Sequence, residues 1–208
     1  MQICTASDMR GPMYKLRTDT PDEWAQHVAD HLDAFLPDHA ASERKAGAHA
    51  MHMVVRYSDK LDLVDRMIEV AREELDHYHR VFHVMRDRGV SLQPDEPDPY
   101  VNALLKHARS SGQARLLDRL LLGSIIEYRG CERFAMLSRV LEDHDDASKA
   151  ELAGMYRELA ASDSKHRKDF YEVADRYFED VVIEKRLDEL LDVEAEVVDE
   201  LPIRAALH

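Results

Sequence analysis

The chain contains few of the features that mark membrane, secreted or disulfide-rich proteins. Its apolar stretches are short, as at residues 120–122, so no segment is predicted to span a membrane. Residues 1–20 show no apolar signal-peptide core. Cys4 and Cys131 lie far apart and form no metal-binding CxxC pair. We therefore expect a protein of the reducing cytoplasm.

Glycine and proline are also scarce, with 7 of each among 208 residues. Together with 34% charged residues, this favours long solvated helices, while 45% apolar residues indicate a globular protein. The length predicts a single domain over residues 1–208. The net charge of −14 argues against broad non-specific binding to nucleic acid but permits a local basic patch.

Apolar residues recur at helical spacing along most of the chain, and no stretch alternates as a strand would. The predicted helices are an N-terminal helix that opens at Thr20 and stops before Pro37, four bundle helices at 38–57, 60–88, 113–141 and 147–178, a short helix at 101–109, and an acidic helical tail at 184–208. The second bundle helix is expected to end at Gly89. A long link at 89–112 then joins two helix pairs.

This order predicts an all-α, ferritin-like four-helix bundle with one long crossover and extra N- and C-terminal helices. The bundle core is expected at about residues 38–180.

One chemical pattern occurs in both halves. It consists of a lone Glu on one helix and a carboxylate and a His three residues apart on the next: Glu43 with Glu74 and His77, then Glu127 with Asp163 and His166. All six fall at core-facing positions of their helices, where Leu or Val is usual.

Such a set predicts a two-metal site. Four buried carboxylates would repel one another, whereas two divalent ions neutralise them, and two neutral His add one nitrogen ligand each. The donor set is rich in oxygen and has no thiolate, so it suits two iron ions, or manganese, better than structural zinc. Reduced iron would use O2 as a co-substrate.

Three alternatives stay open at this point. A ferritin-like ferroxidase, a rubrerythrin-like peroxide-scavenging protein and a metal-free helical interaction protein could all carry parts of the pattern. A single carboxylate and His at this spacing is weak support for metal binding, and only the duplicated set favours it.

Four pieces of the chain, at residues 38–46, 73–78, 126–134 and 162–166, resemble the bacterial tRNA hydroxylases that act on 2-methylthio-isopentenyladenosine, a family of ferritin-like di-iron monooxygenases. The resemblance covers roughly residues 20–180. The most specific piece is residues 127–134, which read Glu-x-Arg-x-Cys-Glu-Arg-Phe.

The resemblance implies that Glu43, Glu74, His77, Glu127 and His166 bind iron. The family has Glu where this chain has Asp163, which is one methylene shorter. The implied reaction uses O2 and two electrons to hydroxylate the isopentenyl group of the modified adenosine beside the tRNA anticodon. A separate electron-transfer protein is implied as the donor, and the oligomeric state is left open.

Basic residues cluster around three of the ligand positions. They are Arg44, Lys45, Arg129, Arg133, Lys165, Arg167 and Lys168. They are candidate substrate-binding residues that would contact phosphates of the tRNA anticodon loop. The alternative is that they form ion pairs on solvated helix faces. His27, His31, His39, His49 and His52 have no counterparts in the second half and are expected at the surface or behind the ligands.

Overall fold

The computed structural model describes residues 14–208, and helices are the regular structure within this range. Cys4 lies outside the described residues. The helices are α1 (Asp22–Asp30), α2 (Leu32–Arg56), α3 (Leu61–Asp87), α4 (Pro99–Lys106), α5 (Gly112–Glu142), α6 (Ala147–Ala150), α7 (Ala153–Tyr177) and α8 (Asp180–Glu200). The predicted all-α class is confirmed.

The described chain divides into two compact units. The first, here called the hairpin unit, comprises residues 30–97 and 204–207. The second, here called the main unit, comprises residues 98–203 and 208 together with the N-terminal residues up to Ala29. The prediction of one domain is not tested by this division.

The hairpin unit is built from α2 packed against α3. Leu63, Met67 and Val81 are buried on α3 at the spacing that the sequence predicts. Gly89 ends this helix with a positive φ of 71°, and the Val90 amide donates to the Met85 carbonyl over 2.8 Å. This is the glycine-dependent C-terminal stop that the sequence predicts.

The N-terminal helix was predicted to run to Pro37, and that boundary is wrong. The chain breaks at His31, and Pro37 lies inside α2. Pro37 is the sixth residue of α2 and has no amide hydrogen, so the helix continues past it with one i→i−4 hydrogen bond missing. Asp38, where the first bundle helix was predicted to begin, lies inside α2, and its side chain accepts a hydrogen bond from the Leu207 amide over 2.7 Å.

The main unit is organised around α5 and α7, which pack along their lengths. The predicted fourth helix is interrupted: α6 ends at Ala150 and α7 starts at Ala153. The Leu152 amide bonds to the Lys149 carbonyl over 3.0 Å, a tighter i→i+3 turn than an α-helix makes. Gly154, a weak helix former, follows directly.

The acidic tail was predicted to be helical over residues 184–208, but α8 ends at Glu200 and residues 201–208 are not helical. The helix packs against α4 and α5. Its inner face buries Ile183, Leu190 and Val198. Among residues 14–208, none of the helices combines the length and the apolar character that a membrane crossing requires.

Candidate metal centre

The hairpin unit brings together the first predicted set of ligands. Glu43 lies on α2, and Glu74 and His77 lie one turn apart on α3. All three are buried, and each offers a ligand atom within 4.8 Å of the other two. His77 Nδ1 is 3.4 Å from Glu43 Oε2 and 3.7 Å from Glu74 Oε2. Both distances exceed those of normal hydrogen bonds and suit groups that share an ion.

A glycine allows the two helices to approach at this level. A Cβ atom at Gly47 would lie 3.3 Å from Glu74 Cβ and 3.5 Å from the Ala71 carbonyl oxygen. An alanine here would therefore require its α3 neighbours to shift by a few tenths of an ångström. The small residue therefore keeps the two carboxylates on facing helices within reach of one ion.

His39 orients Glu43 from behind. It is fully buried on α2, and its Nε2 lies 2.7 Å from Glu43 Oε1. Its ring stacks on Phe35, with centroids 5.4 Å apart. A histidine that holds a metal-binding carboxylate fixes the direction of the remaining oxygen. Five histidines of the first half have no counterpart in the second half, and His39 is the one that lies behind a ligand, as was predicted for some of them.

The charges of this triad favour a cation. Burial opposes ionisation of Glu43, but the hydrogen bond from His39 and the nearby His77 ring outweigh it and lower the pKa of Glu43 well below its ordinary value. Burial likewise disfavours the charged form of His77, yet the close Glu43 and Glu74 carboxylates raise its pKa to about 10. In the metal-free protein the His77 proton thus supplies part of the positive charge that two carboxylates require.

The main unit brings together the second set. Glu127 lies on α5, and Asp163 and His166 lie one turn apart on α7. These three also offer ligand atoms within 4.8 Å of one another. His166 Nδ1 is 3.7 Å from Glu127 Oε2. Asp163 and His166 are buried, whereas Glu127 is 11% exposed.

Asp163 reaches across α5 at a second glycine. A Cβ atom at Gly130 would lie only 2.5 Å from Asp163 Oδ2, closer than real Cβ contacts allow. The glycine is therefore required by the carboxylate that lies over it. Gly123, one turn before Glu127, is covered in the same way by the Phe170 ring, 2.8 Å from where its Cβ would be. His39 has no counterpart here, because Gly123 occupies the matching position four residues before the lone Glu.

Each triad has the chemistry of a transition-metal half-site. Two carboxylates and one imidazole from two helices are hard and borderline ligands that suit iron or manganese. Buried carboxylates in such numbers are unfavourable without a cation. Gly47 and Gly130 let the ligands Glu74 and Asp163 approach the neighbouring helix closely. The residues present thus match what an ion in each half-site requires.

The candidate substrate-binding residues occupy different environments. Arg129 is fully buried, where it pairs with Glu194 over 2.8 Å and with Glu132 over 2.5 Å. Arg133 is also buried, and its guanidinium carbon lies 5.2 Å from the centre of the Trp24 ring. Arg133 Nε also donates to Thr20 Oγ1 over 3.3 Å, so both arginines already serve contacts inside the main unit. Glu132 lies off the register of the ligands and is an ion-pair partner of Arg129.

The other basic residues lie nearer the surface, apart from Arg167. Arg44 pairs with Asp95, and Lys45 donates to the Glu96 carbonyl over 2.5 Å, so both fasten α2 to the crossover segment. Lys165 is exposed and lies 4.0 Å from Asp169, and Lys168 is half-buried. Arg167 is buried between aromatic rings. Their contact with RNA stays a prediction.

Sequence reasoning missed two residues of the buried charge network, Tyr100 and Glu194. The Tyr100 hydroxyl donates to Glu194 Oε1 over 3.0 Å, and the same oxygen accepts from Arg129 Nε over 2.9 Å. Glu194 lies within the acidic tail, whose other acids are exposed. A partial signal was available, since Glu194 falls in step with the apolar residues of α8.

Two named relatives share much of the sequence. A tRNA 2-(methylsulfanyl)-N6-isopentenyladenosine(37) hydroxylase of Pseudomonas putida is 32% identical over 179 residues, which cover 86% of this chain and 84% of the relative. The enzyme of the same name from Salmonella typhimurium is 33% identical over 112 residues, which cover 54% of this chain and 39% of that protein.

A solved structure shares the fold. It is a Synechococcus protein described as having aldehyde deformylating oxygenase activity, with a TM-score of 0.83, 29% identity and 93% coverage of both chains. This similarity confirms the predicted ferritin-like class.

Residues 11–208 match the family described as tRNA-(MS2IO6A)-hydroxylase, MiaE. The match spans both helix hairpins and all six predicted ligands. With its two buried triads and its relatives in two bacteria, the chain belongs to this family of tRNA hydroxylases.

Proposed function

We propose that this protein is a di-iron monooxygenase that hydroxylates the isopentenyl group of 2-methylthio-isopentenyladenosine in tRNA, next to the anticodon. The observation that carries the proposal is the pair of matched buried triads in a chain that belongs to the hydroxylase family. An assignment to ferritin-like storage or peroxide scavenging is favoured by none of the similarities found.

The six predicted ligands would hold one ion at each triad. Glu43, Glu74 and His77 would bind the first, and Glu127, Asp163 and His166 the second. Iron in these sites would supply O2 activation. The overall reaction consumes O2, two electrons and two protons, places one oxygen atom in a C–H bond of the isopentenyl group and releases the other as water.

The residues around the triads hold the ligands and limit the access of water. His39 keeps Glu43 ionised and directed, and Gly130 leaves room for the Asp163 carboxylate. Met67, Phe134 and Phe170 are buried and lie on the same helices as ligands, seven residues from Glu74, seven from Glu127 and four from His166. A dry site limits side reactions of an oxidising centre.

Several further parts of the proposal follow from the reaction. Two electrons must come from a separate electron-transfer protein, because the chain carries no flavin or iron–sulfur motif that would supply them. The substrate is tRNA, so we place the protein in the cytoplasm. We also propose that residues 1–208 act as one functional domain, because a single family match runs through the sequence of both compact units.

The most direct test is nucleoside analysis of tRNA from cells with and without the gene. Deletion should remove the hydroxylated isopentenyl nucleoside and leave its unhydroxylated precursor to accumulate. An unchanged nucleoside profile would refute the substrate assignment.

A variant tests the ligand assignment separately. Glu127→Ala should abolish hydroxylation and lower the iron content, while circular dichroism reports unchanged helices. Glu172→Ala, an exposed carboxylate on α7, is the matched control and should behave as the wild type. Retained hydroxylation in Glu127→Ala would remove Glu127 from the ligand set.

A further inference from the structure

Arg167 is a buried cation that the described part of the chain leaves unpaired. It follows His166 on α7, and only 7% of its surface is exposed. Among residues 14–208, no side chain or carbonyl accepts a hydrogen bond from its guanidinium, and no carboxylate pairs with it. Arg129, buried to a similar degree, is paired with both Glu194 and Glu132.

Aromatic rings hold the Arg167 guanidinium in place. Its central carbon lies 3.7 Å from the centre of the Tyr128 ring and 4.9 Å from that of Tyr14. The two rings meet edge to face, with centroids 5.7 Å apart. Stacking on aromatic faces is favourable for arginine and leaves the planar N–H groups directed outward.

A hydrogen-bonded chain fixes the backbone below this stack. Ser124 donates to the Arg167 carbonyl over 2.9 Å, and the Tyr14 hydroxyl lies 2.6 Å from Ser124 Oγ. Because the serine hydrogen is already used, Tyr14 must donate. Burial raises the pKa of Tyr14, so the phenol stays protonated and can do so. The guanidinium is therefore fixed before any ligand arrives.

An immobilised, largely desolvated arginine without an anion is costly, and such a position is expected to receive an acceptor from outside. The planar fork of arginine matches phosphate oxygens, which accept two parallel hydrogen bonds. Lys168, the next residue along α7, adds a second positive charge. Tyr128 and Arg167 directly follow the ligands Glu127 and His166, so an anion bound here lies beside the second triad.

We propose that Arg167, stacked on Tyr128 and Tyr14, binds a backbone phosphate of the tRNA anticodon loop and so positions the modified adenosine near the metal centre. The inference rests on the proposed function, since it takes tRNA to be the substrate. Of the seven candidate basic residues, Arg167 alone combines burial, fixed geometry and an open set of donors.

Binding of a fluorescent anticodon stem-loop RNA, followed by anisotropy at several salt concentrations, tests the proposal. Arg167→Gln should weaken binding by about tenfold or more. It should also lower the slope of log K against log salt by about 1, because one phosphate contact is lost. Arg167→Lys keeps the charge without the fork and should bind with intermediate affinity. Arg157→Gln, which removes a surface arginine paired with Glu142 on the same helix, should leave RNA binding unchanged.

Neutral methylphosphonate linkages introduced one at a time in the RNA identify the source of the phosphate. One linkage should weaken wild-type binding and have no further effect on Arg167→Gln. RNA binding by both Arg167 variants that equals wild type would overturn the proposal and leave the hydroxylase assignment intact. A second outcome would also overturn the proposal: the variants bind RNA more weakly, but the slope of log K against log salt is unchanged and no methylphosphonate linkage affects wild type more than Arg167→Gln. Arg167 would then only support the packing of the protein. Failure of the wild type to bind the RNA would instead refute the proposed substrate.

Discussion

At the scale of single residues, the two triads are chemically alike but differently supported. Glu43 has a buried histidine behind it, whereas the position that matches His39 in the main unit is Gly123, filled by the Phe170 ring. The sequence predicted the six ligand positions because each interrupts an apolar register with a charged or imidazole group. It could not identify His39 as a partner of Glu43, because four other histidines of the first half also have no matching histidine in the second half.

His39→Ala should weaken metal binding at the hairpin triad. The variant removes the hydrogen bond that orients Glu43, and loss of such an outer partner lowers metal affinity by about 10- to 100-fold. Titration of the metal-free protein with Mn2+ or Fe2+ should show one of two ions bound more weakly than in wild type. His39→Gln, which can still donate to Glu43, should recover much of the affinity.

His52→Ala is the matched control for this prediction, since His52 is exposed on the same helix. It should bind both ions as wild type does. If His39→Ala binds both metal ions with wild-type affinity, metal binding by Glu43 does not depend on its hydrogen bond to His39.

At the scale of helices, local signals predicted the boundaries where capping chemistry is strong. Gly89 ends α3 as expected, and Asp98 caps α4 by accepting from the Val101 amide over 3.0 Å. The errors arose at Pro37, which a helix accepts in its early turns, and at the break between α6 and α7. In both places tertiary packing decided between two conformations that the local sequence permits.

The Asp98 cap gives a prediction about pH. Burial disfavours the charged form of Asp98, but hydrogen bonds from His208 and from the Val101 and Tyr100 amides lower its pKa to about 2, from an ordinary value of 3.8. A depressed carboxylate pKa stabilises the folded state above pH 3.8, and this contribution disappears as the pH falls through about 2. The contribution is on the order of 2 kcal/mol.

Urea unfolding of Asp98→Asn and wild type at several pH values measures the contribution of the ionised Asp98 to the free energy of unfolding. The variant should be less stable by about 1–2 kcal/mol at neutral pH, and the difference should shrink as the pH falls from 4 toward 2. Asp95 lies in the same crossover segment but is exposed. The stability difference between Asp95→Asn and wild type should change little with pH, by no more than a surface ion pair contributes. A constant difference at all pH values would contradict the assigned pKa.

At the scale of the whole molecule, the acidic C-terminal segment is part of the interior of the main unit. Glu194 on α8 is fully buried and accepts hydrogen bonds from both Tyr100 on α4 and Arg129 on α5. Sequence composition predicted an acidic helix, and it is one. It could not predict which acid is buried, because the partners lie 94 and 65 residues away along the chain.

Glu194→Ala should therefore destabilise the protein strongly. It leaves the Arg129 charge buried with only Glu132 as an anionic partner, and removal of one member of a buried ion pair typically costs about 3–5 kcal/mol. The free energy of unfolding, measured in urea, should fall by an amount in this range. Glu196→Ala, two residues along the same helix and outside the network, should stay within about 0.5 kcal/mol of wild type.

A double variant separates the ion pair from simple packing. Arg129→Met with Glu194→Leu removes both charges of the pair. Both this variant and Glu194→Ala deprive the Tyr100 hydroxyl of its acceptor, but only Glu194→Ala leaves the Arg129 charge without Glu194, so the double variant should be the more stable of the two. Because Arg129 lies two residues after Glu127 on α5, the same double variant should keep its iron if the network only stabilises the fold. Loss of iron with recovered stability would show instead that α8, through Glu194, fixes the position of Glu127.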